Sequence, residues 1–182
     1  MKTIGTTRYI DDLGRITIPR EIRRMAKIKE GDEFEIYITT EGEIALKKHS
    51  FMKKELGVLA KQICDAVFNS FGFSMAVTDR DNVIAASGAE KNSIIDRPVS
   101  PEMQRSMSES RIDAGDNTET IFLDAYNRYP VAEVMPIMRN NMCVGSVAII
   151  GDKGALFEAN ENERYMAVKM VTEFLRKYIT SF

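Results

Sequence analysis

Residues 11–48 read DDLGRITIPREIRRMAKIKEGDEFEIYITTEGEIALKK, and this stretch decides the fold of the first part of the chain. Phe34, Ile36 and Ile38 alternate with Glu33, Glu35, Tyr37 and Thr39, the period of a half-buried strand. Ile44 and Leu46 alternate with Glu43, Ala45 and Lys47 beyond the turn Thr40-Glu41-Gly42, so 33–48 is expected to be a β-hairpin. Upstream, Gly5–Ile10 and Ile16–Ile18 are β-rich runs flanking Asp11-Asp12-Leu13-Gly14-Arg15, a turn with Gly at its tip. Pro19, whose fixed φ suits a first helical turn, opens a short helix over Arg20–Ala26. Ile22, Met25 and Ala26 share one face of it, and Arg20, Arg23 and Arg24 lie off that face.

Some fifty residues with four short strands bury too little surface to stand alone. No disulfide or metal compensates, since the 182 residues hold two cysteines, Cys64 and Cys143, and one histidine, His49. A second copy interleaving its hairpin is the economical solution, so the first part is expected to be an obligate dimer. The basic residues concentrate there too. Residues 1–30 hold eight Lys/Arg against four acids, 31–50 two against five, and 51–182 fifteen against eighteen. An arginine-dense start on a chain of net charge −2 suggests one polyanion-facing end on a solvated body. Paired surface charges, such as Arg15 with Asp11 or Asp12, are the competing explanation.

The span Asp11–Arg24 followed by Ile28–Ile36 resembles the N-terminal module of the AbrB/SpoVT family of transition-state and sporulation regulators. The resemblance implies a swapped-hairpin β-barrel dimer that binds double-stranded DNA. It maps the family's DNA-contacting arginines onto Arg8, Arg15, Arg23 and Arg24, and Arg20 joins them from the polar side of the helix. A guanidinium fork suits bidentate phosphate and base-edge contacts. The helix at 20–26 is too short for a free-standing recognition helix, so readout is expected from loops and strand ends, weighted toward phosphate and DNA shape. MazE-type antitoxins share the barrel but add an acidic tail that wraps a toxin. An antitoxin-like protein whose second half binds a partner protein is therefore the alternative.

Residues 49–55 read as a connector. Leu56, Leu59, Ala60, Ile63, Cys64, Val67, Phe68 and Phe71 then repeat at 3,1 spacing, an amphipathic helix ended by Gly72. Strands are expected at Ser74–Thr78, Val83–Ala86, Glu119–Leu123, Val131–Met138 and Cys143–Ile150, with Arg139-Asn140-Asn141 turning the last pair. Ser100-Pro101-Glu102 reads as the N-cap and first turn of a helix carrying Met103 and Met107. A capping box at Asn160 and Glu163 starts a final helix with the stripe Ala167, Met170, Val171, Phe174, Leu175, Tyr178, Phe182. Tyr165, Met166, Val168 and Ile179 widen that stripe beyond what one sheet face needs, which marks an interface and predicts a homotetramer. The element order, like that of the family's two-domain members, implies a GAF-like domain.

The fold class is thus α+β: an AbrB-type swapped-hairpin barrel at 1–50, and a GAF-like domain of antiparallel sheet plus helices at 55–182 for regulation and oligomerisation. Nothing approaches the ~18 uninterrupted apolar residues of a membrane span. The N-terminus has no signal-like stretch, so a cytoplasmic, nucleoid-associated protein is expected. Paired Asp11 and Asp12 read as loop-orienting, and neither cysteine has a thiolate-stabilising neighbourhood. His49, at the joint, is expected to be exposed and to complete no triad. Catalysis, a metal and a cofactor are not expected; the GAF-like domain is expected to serve small-molecule effector sensing, tetramerisation or both, with no residues assigned to an effector.

Overall fold

A computed structural model describes residues 5–49, 51–88, 91–108, 121–151 and 161–180. The chain divides into two units, Met1–His49 and Ser50–Phe182.

In the first unit, helix α1 (Arg20–Met25) precedes strands β1 (Glu33–Ile38) and β2 (Ile44–His49). The strands pair antiparallel from Glu33↔His49 to Ile38↔Ile44. Thr39 N–H donates to Glu43 O at 2.8 Å to close the turn, and Gly42 occupies φ +81°, a conformation that a side chain would disfavour. Pro19 caps α1 in an extended conformation, φ −57° and ψ 147°, as its place ahead of the helix requires. The turn at 11–15 forms as well: Asp11 N–H donates to Arg15 O, and Gly14 N–H to Asp11 O, both at 3.0 Å.

The expected strands at Gly5–Ile10 and Ile16–Ile18 are not present. Both segments lack regular secondary structure, and after the Asp11–Arg15 bond no ladder continues between them. A strand needs a partner for its backbone groups, and the described residues supply none here. The apolar residues of the unit are equally uncovered. No described residue of 5–49 is buried, and Ile36, Ile38 and Ile44 are 71%, 77% and 69% exposed. Ile22 is half-buried while Met25 and Ala26 of the same helix face lie open.

The second unit is a three-layer arrangement. Helix α2 (Phe51–Phe71), strands β3 (Met75–Asp79) and β4 (Val83–Ala86), helices α3 (Lys91–Ile94) and α4 (Pro101–Ser108), strands β5 (Val131–Arg139) and β6 (Met142–Ile150) and helix α5 (Glu161–Thr180) follow in order. The sheet runs β4-β3-β6-β5, and all its pairings are antiparallel. The two long helices share one face of it, where Leu56, Ala60, Cys64, Val171 and Leu175 pack with Met75, Val77, Val147 and Ile149. On the other face Ile94, Val99, Met103, Met107, Leu123 and Tyr129 pack with Ala76, Val134, Ala148 and Ile150. Coverage on both sides explains why β3 and most of β6 are continuously buried, Thr78 and Ser146 included. Pro136, which cannot donate to a ladder, lies on β5 at the sheet's edge.

Several details differ from the sequence reading. The presumed connector is already helical from Phe51. Of the strand expected at Glu119–Leu123, positions 119 and 120 lie outside the described residues, and the rest makes only the isolated bridge Phe122↔Pro130. Asn160 of the capping box and Phe182 of the final stripe also lie outside. On α5 the buried residues are Ala167, Val168, Val171, Thr172, Leu175 and Ile179. Met170 and Phe174, assigned to the core stripe, are exposed, whereas Val168 and Ile179, assigned to the widening, are core. The true core face lies about one residue position round the helix from the expected one.

Candidate nucleic-acid interface

The arginines singled out by the sequence all sit in the first unit, on exposed positions. Arg20, Arg23 and Arg24 stand three and four residues apart on α1, a spacing that groups their side chains along one side of the helix. Arg23 and Arg24 occupy its last turn, where cations are favoured. Arg15 belongs to the 11–15 turn. Its Nε donates to Asp11 Oδ2 at 2.8 Å, while Asp11 Oδ1 accepts from Arg15 N–H at 2.8 Å and from Leu13 N–H at 3.1 Å. The Arg15 amide and then its guanidinium hold the Asp11 carboxyl below the usual carboxylate value. Asp11 therefore orients the loop, as expected of it.

Arg8 lies on the irregular N-terminal segment, at a cavity of about 390 Å³. Ile16, Ile18, Ile22, Ile28, Phe34 and Leu46 line that cavity, with Arg8 and Lys48 among its polar members. The hollow is mostly apolar, in a unit none of whose described residues is buried.

Two features escaped the sequence reading. Asp32 pins the start of the hairpin: its Oδ2 accepts from Lys29 N–H at 2.7 Å and from Lys48 Nζ at 3.0 Å. His49 is half-buried rather than exposed, with Nδ1 2.9 Å from Glu35 Oε1. The β1–β2 register that sets Glu33 opposite His49 brings Glu35 within reach, and no local pattern signals it.

The cysteines behave as small core residues. Burial raises the Cys64 thiol to about 12, and burial raises Cys143 as well, whose Sγ–H donates to Gly145 O at 3.2 Å. In the second unit Ser100 caps α4 through a 3.0 Å bond from Met103 N–H to its Oγ.

A family model described as "Stage V sporulation protein T C-terminal, transcription factor" matches residues 55–180. Stage V sporulation protein T of Bacillus subtilis (strain 168) is 35% identical over 182 residues, covering 97% of this chain and 98% of that protein. The chain belongs to the SpoVT family. Its first unit is shared more widely, since residues 8–54 match the model described as "Antidote-toxin recognition MazE, bacterial antitoxin". The transition state regulatory protein AbrB of the same organism is 49% identical over 49 residues, 27% of this chain and 50% of AbrB. The putative transition state regulator Abh is 43% identical over 49 residues, 27% of this chain and 52% of Abh. SpoVT-family membership thus rests on the whole chain, and likeness to AbrB on the first unit. Among the described residues, no helix is long and apolar enough to cross a membrane.

Proposed function

We propose that this SpoVT-family chain is a cytoplasmic, nucleoid-associated transcription regulator that grips duplex DNA through a dimer of its first units, residues 1–50. Arg8, Arg15, Arg20, Arg23 and Arg24 carry the contact. The observation behind this reading is that five exposed arginines surround a unit whose apolar groove and unpaired segments lack a partner within one chain. A second copy that fills the groove and pairs with Gly5–Ile10 and Ile16–Ile18 closes a swapped-hairpin barrel. It also doubles the arginine set. Phosphate contacts then supply most of the affinity, and loop arginines the sequence preference.

Residues 55–182 form, in this reading, a GAF-like domain for oligomerisation and regulation. A four-stranded antiparallel sheet with helices on both faces supports the assignment. Met166, Met170 and Phe174, at i, i+4 and i+8 on α5, are 62%, 60% and 50% exposed on the side away from the sheet. Such a row suits a contact to another dimer, which gives a homotetramer with two DNA-binding ends. A small-molecule effector acts, if bound, by a coupling of about 1–3 kcal/mol on DNA affinity. Family membership among transcription factors points away from catalysis.

The MazE match favours one second reading, an antitoxin-like protein whose C-terminal half binds a partner protein. The folded three-layer second unit supports the regulator instead. Titration of labelled duplex DNA, comparing the chain with its Arg23→Ala/Arg24→Ala variant, tests the proposal: weakened binding with an unchanged far-UV spectrum supports it, and equal binding refutes the assigned face.

A further inference from the structure

Residues 121–130, ahead of β5, carry a feature that the DNA reading does not use. Asp124 is fully buried, and it organises two arginines at once. Its Oδ2 lies 3.5 Å from Arg97 Nη1, and its Oδ1 accepts from the Arg128 backbone N–H at 2.8 Å. The turn around it is tied down further, since Ala125 N–H donates to Pro98 O and Asn127 N–H to Asp124 O, both at 3.0 Å. Asn127 takes φ +53°, as a tight turn demands. At its tip Tyr126 is 62% exposed, and the guanidinium carbons of Arg97 and Arg128 both sit against its ring, 5.6 and 5.8 Å from the centroid.

A solvent-exposed aromatic with two guanidinium groups near its ring, on a braced turn, combines apolar area with positive charge at one spot. Arg97 is anchored by Asp124 and by a bond from its Nε to Ser93 O. Arg128 differs: among the described residues its guanidinium has no carboxylate partner, although residues 51–182 carry eighteen acids against fifteen bases. Tyr and Arg are the residue types that dominate protein–protein hot spots, where rigid aromatic area and a fork for carboxylates act together. The net acidity of the same unit disfavours a long polyanion, which responds to the field of the whole surface. A short stretch of carboxylates reads the local pair instead.

We infer that Tyr126 and Arg128, braced by Asp124 and Arg97, form a docking site for an acidic segment of a partner protein. The partner's carboxylates take the free fork of Arg128, and an apolar side chain among them packs on the Tyr126 ring. The site lies in the other unit from the five DNA-reading arginines, so either activity can be lost while the other is measured.

The test uses the full chain and a fluorescein-labelled peptide rich in Asp and Glu around a single Phe, followed by fluorescence anisotropy. Tyr126→Ala and Arg128→Glu, both at exposed positions, are the variants; Arg97 is left intact because its loss would strand a buried carboxylate. The expected result is saturable binding that weakens at least tenfold in each variant. The corresponding peptide with Gln and Asn should bind at least tenfold more weakly to the unaltered chain. Unchanged thermal melting shows that the variants fold. Absence of peptide binding overturns the proposal, and so does binding indifferent to both substitutions. A loss of duplex DNA affinity in Arg128→Glu, with peptide binding intact, would assign the surface to nucleic acid instead.

Discussion

Asp11 and Arg15 show how single side chains fix the shape of a loop. The carboxylate takes two backbone amides and the Arg15 Nε, so the loop is ordered by its own residues. Because its folded value is depressed below 3.8, the contribution of Asp11 is present above its unfolded value and is lost as pH falls through the folded one. Carboxyl NMR should therefore place the Asp11 midpoint below 3.8, and Arg15→Ala should move it back toward that value. An unmoved midpoint would mean that the pair does not form in solution. The thiols give a second check. With Cys64 raised to about 12 and Cys143 raised by burial, neither should react with iodoacetamide at pH near 8 in the folded chain, and both should react in denaturant. Rapid native labelling counted by mass spectrometry would contradict the packing of α2 and β6. Residues like these were readable one at a time: Asp11 from its neighbouring Gly14 and arginines, and Cys64 from its place in an apolar stripe. His49 was not, because its contact with Glu35, fourteen residues away in sequence, depends on the strand register.

Elements show a different limit. The 3,1 repeat made α2 and α5 plain, yet on α5 it spread over two faces, and only packing against the sheet decides that Val168 and Ile179 are core while Met170 and Phe174 are surface. Helix α3, four residues long, has too few positions for any period to register. The runs at Gly5–Ile10 and Ile16–Ile18 failed as strands for a third reason, since their propensity is real but no described residue of the chain pairs with them as a ladder partner. Where the signal was a specific local interaction it held: the Ser100 cap is formed, and Ser100 Oγ–H also donates to Phe122 O at 2.6 Å. Ser100→Ala should cost about 1–2 kcal/mol, measured by urea unfolding. No loss would mean that α4 does not depend on this cap. Gly145→Ala should be worse than the ~0.5–3 kcal/mol of an ordinary substitution, because a Cβ there would meet Thr78 O of the neighbouring strand at 2.1 Å. A variant as stable as the parent would contradict the β3–β6 pairing.

The whole molecule follows from two surfaces that one copy leaves open. The first unit exposes Ile36, Ile38 and Ile44 beside an apolar groove, while α5 presents Met166, Met170 and Phe174 to solvent. Together they predict a dimer of dimers. Light scattering should give a mass near four chains, and Met170→Glu/Phe174→Glu should reduce it to two without unfolding; a parent mass near two would refute the second contact. If the tetramer forms, tethering two barrels can raise apparent affinity by ~10²–10⁴ where their spacing suits the DNA.

If DNA is held through the arginines of a dimeric first unit, duplex DNA affinity of the full chain must respond steeply to salt. A dimer touching ~6–8 phosphates should give a log–log slope near −6. Replacing Arg23 and Arg24 by alanine in both copies should flatten that slope and weaken binding at every salt concentration. A chain whose affinity is independent of salt, or whose slope is unchanged by the double substitution, would contradict the account.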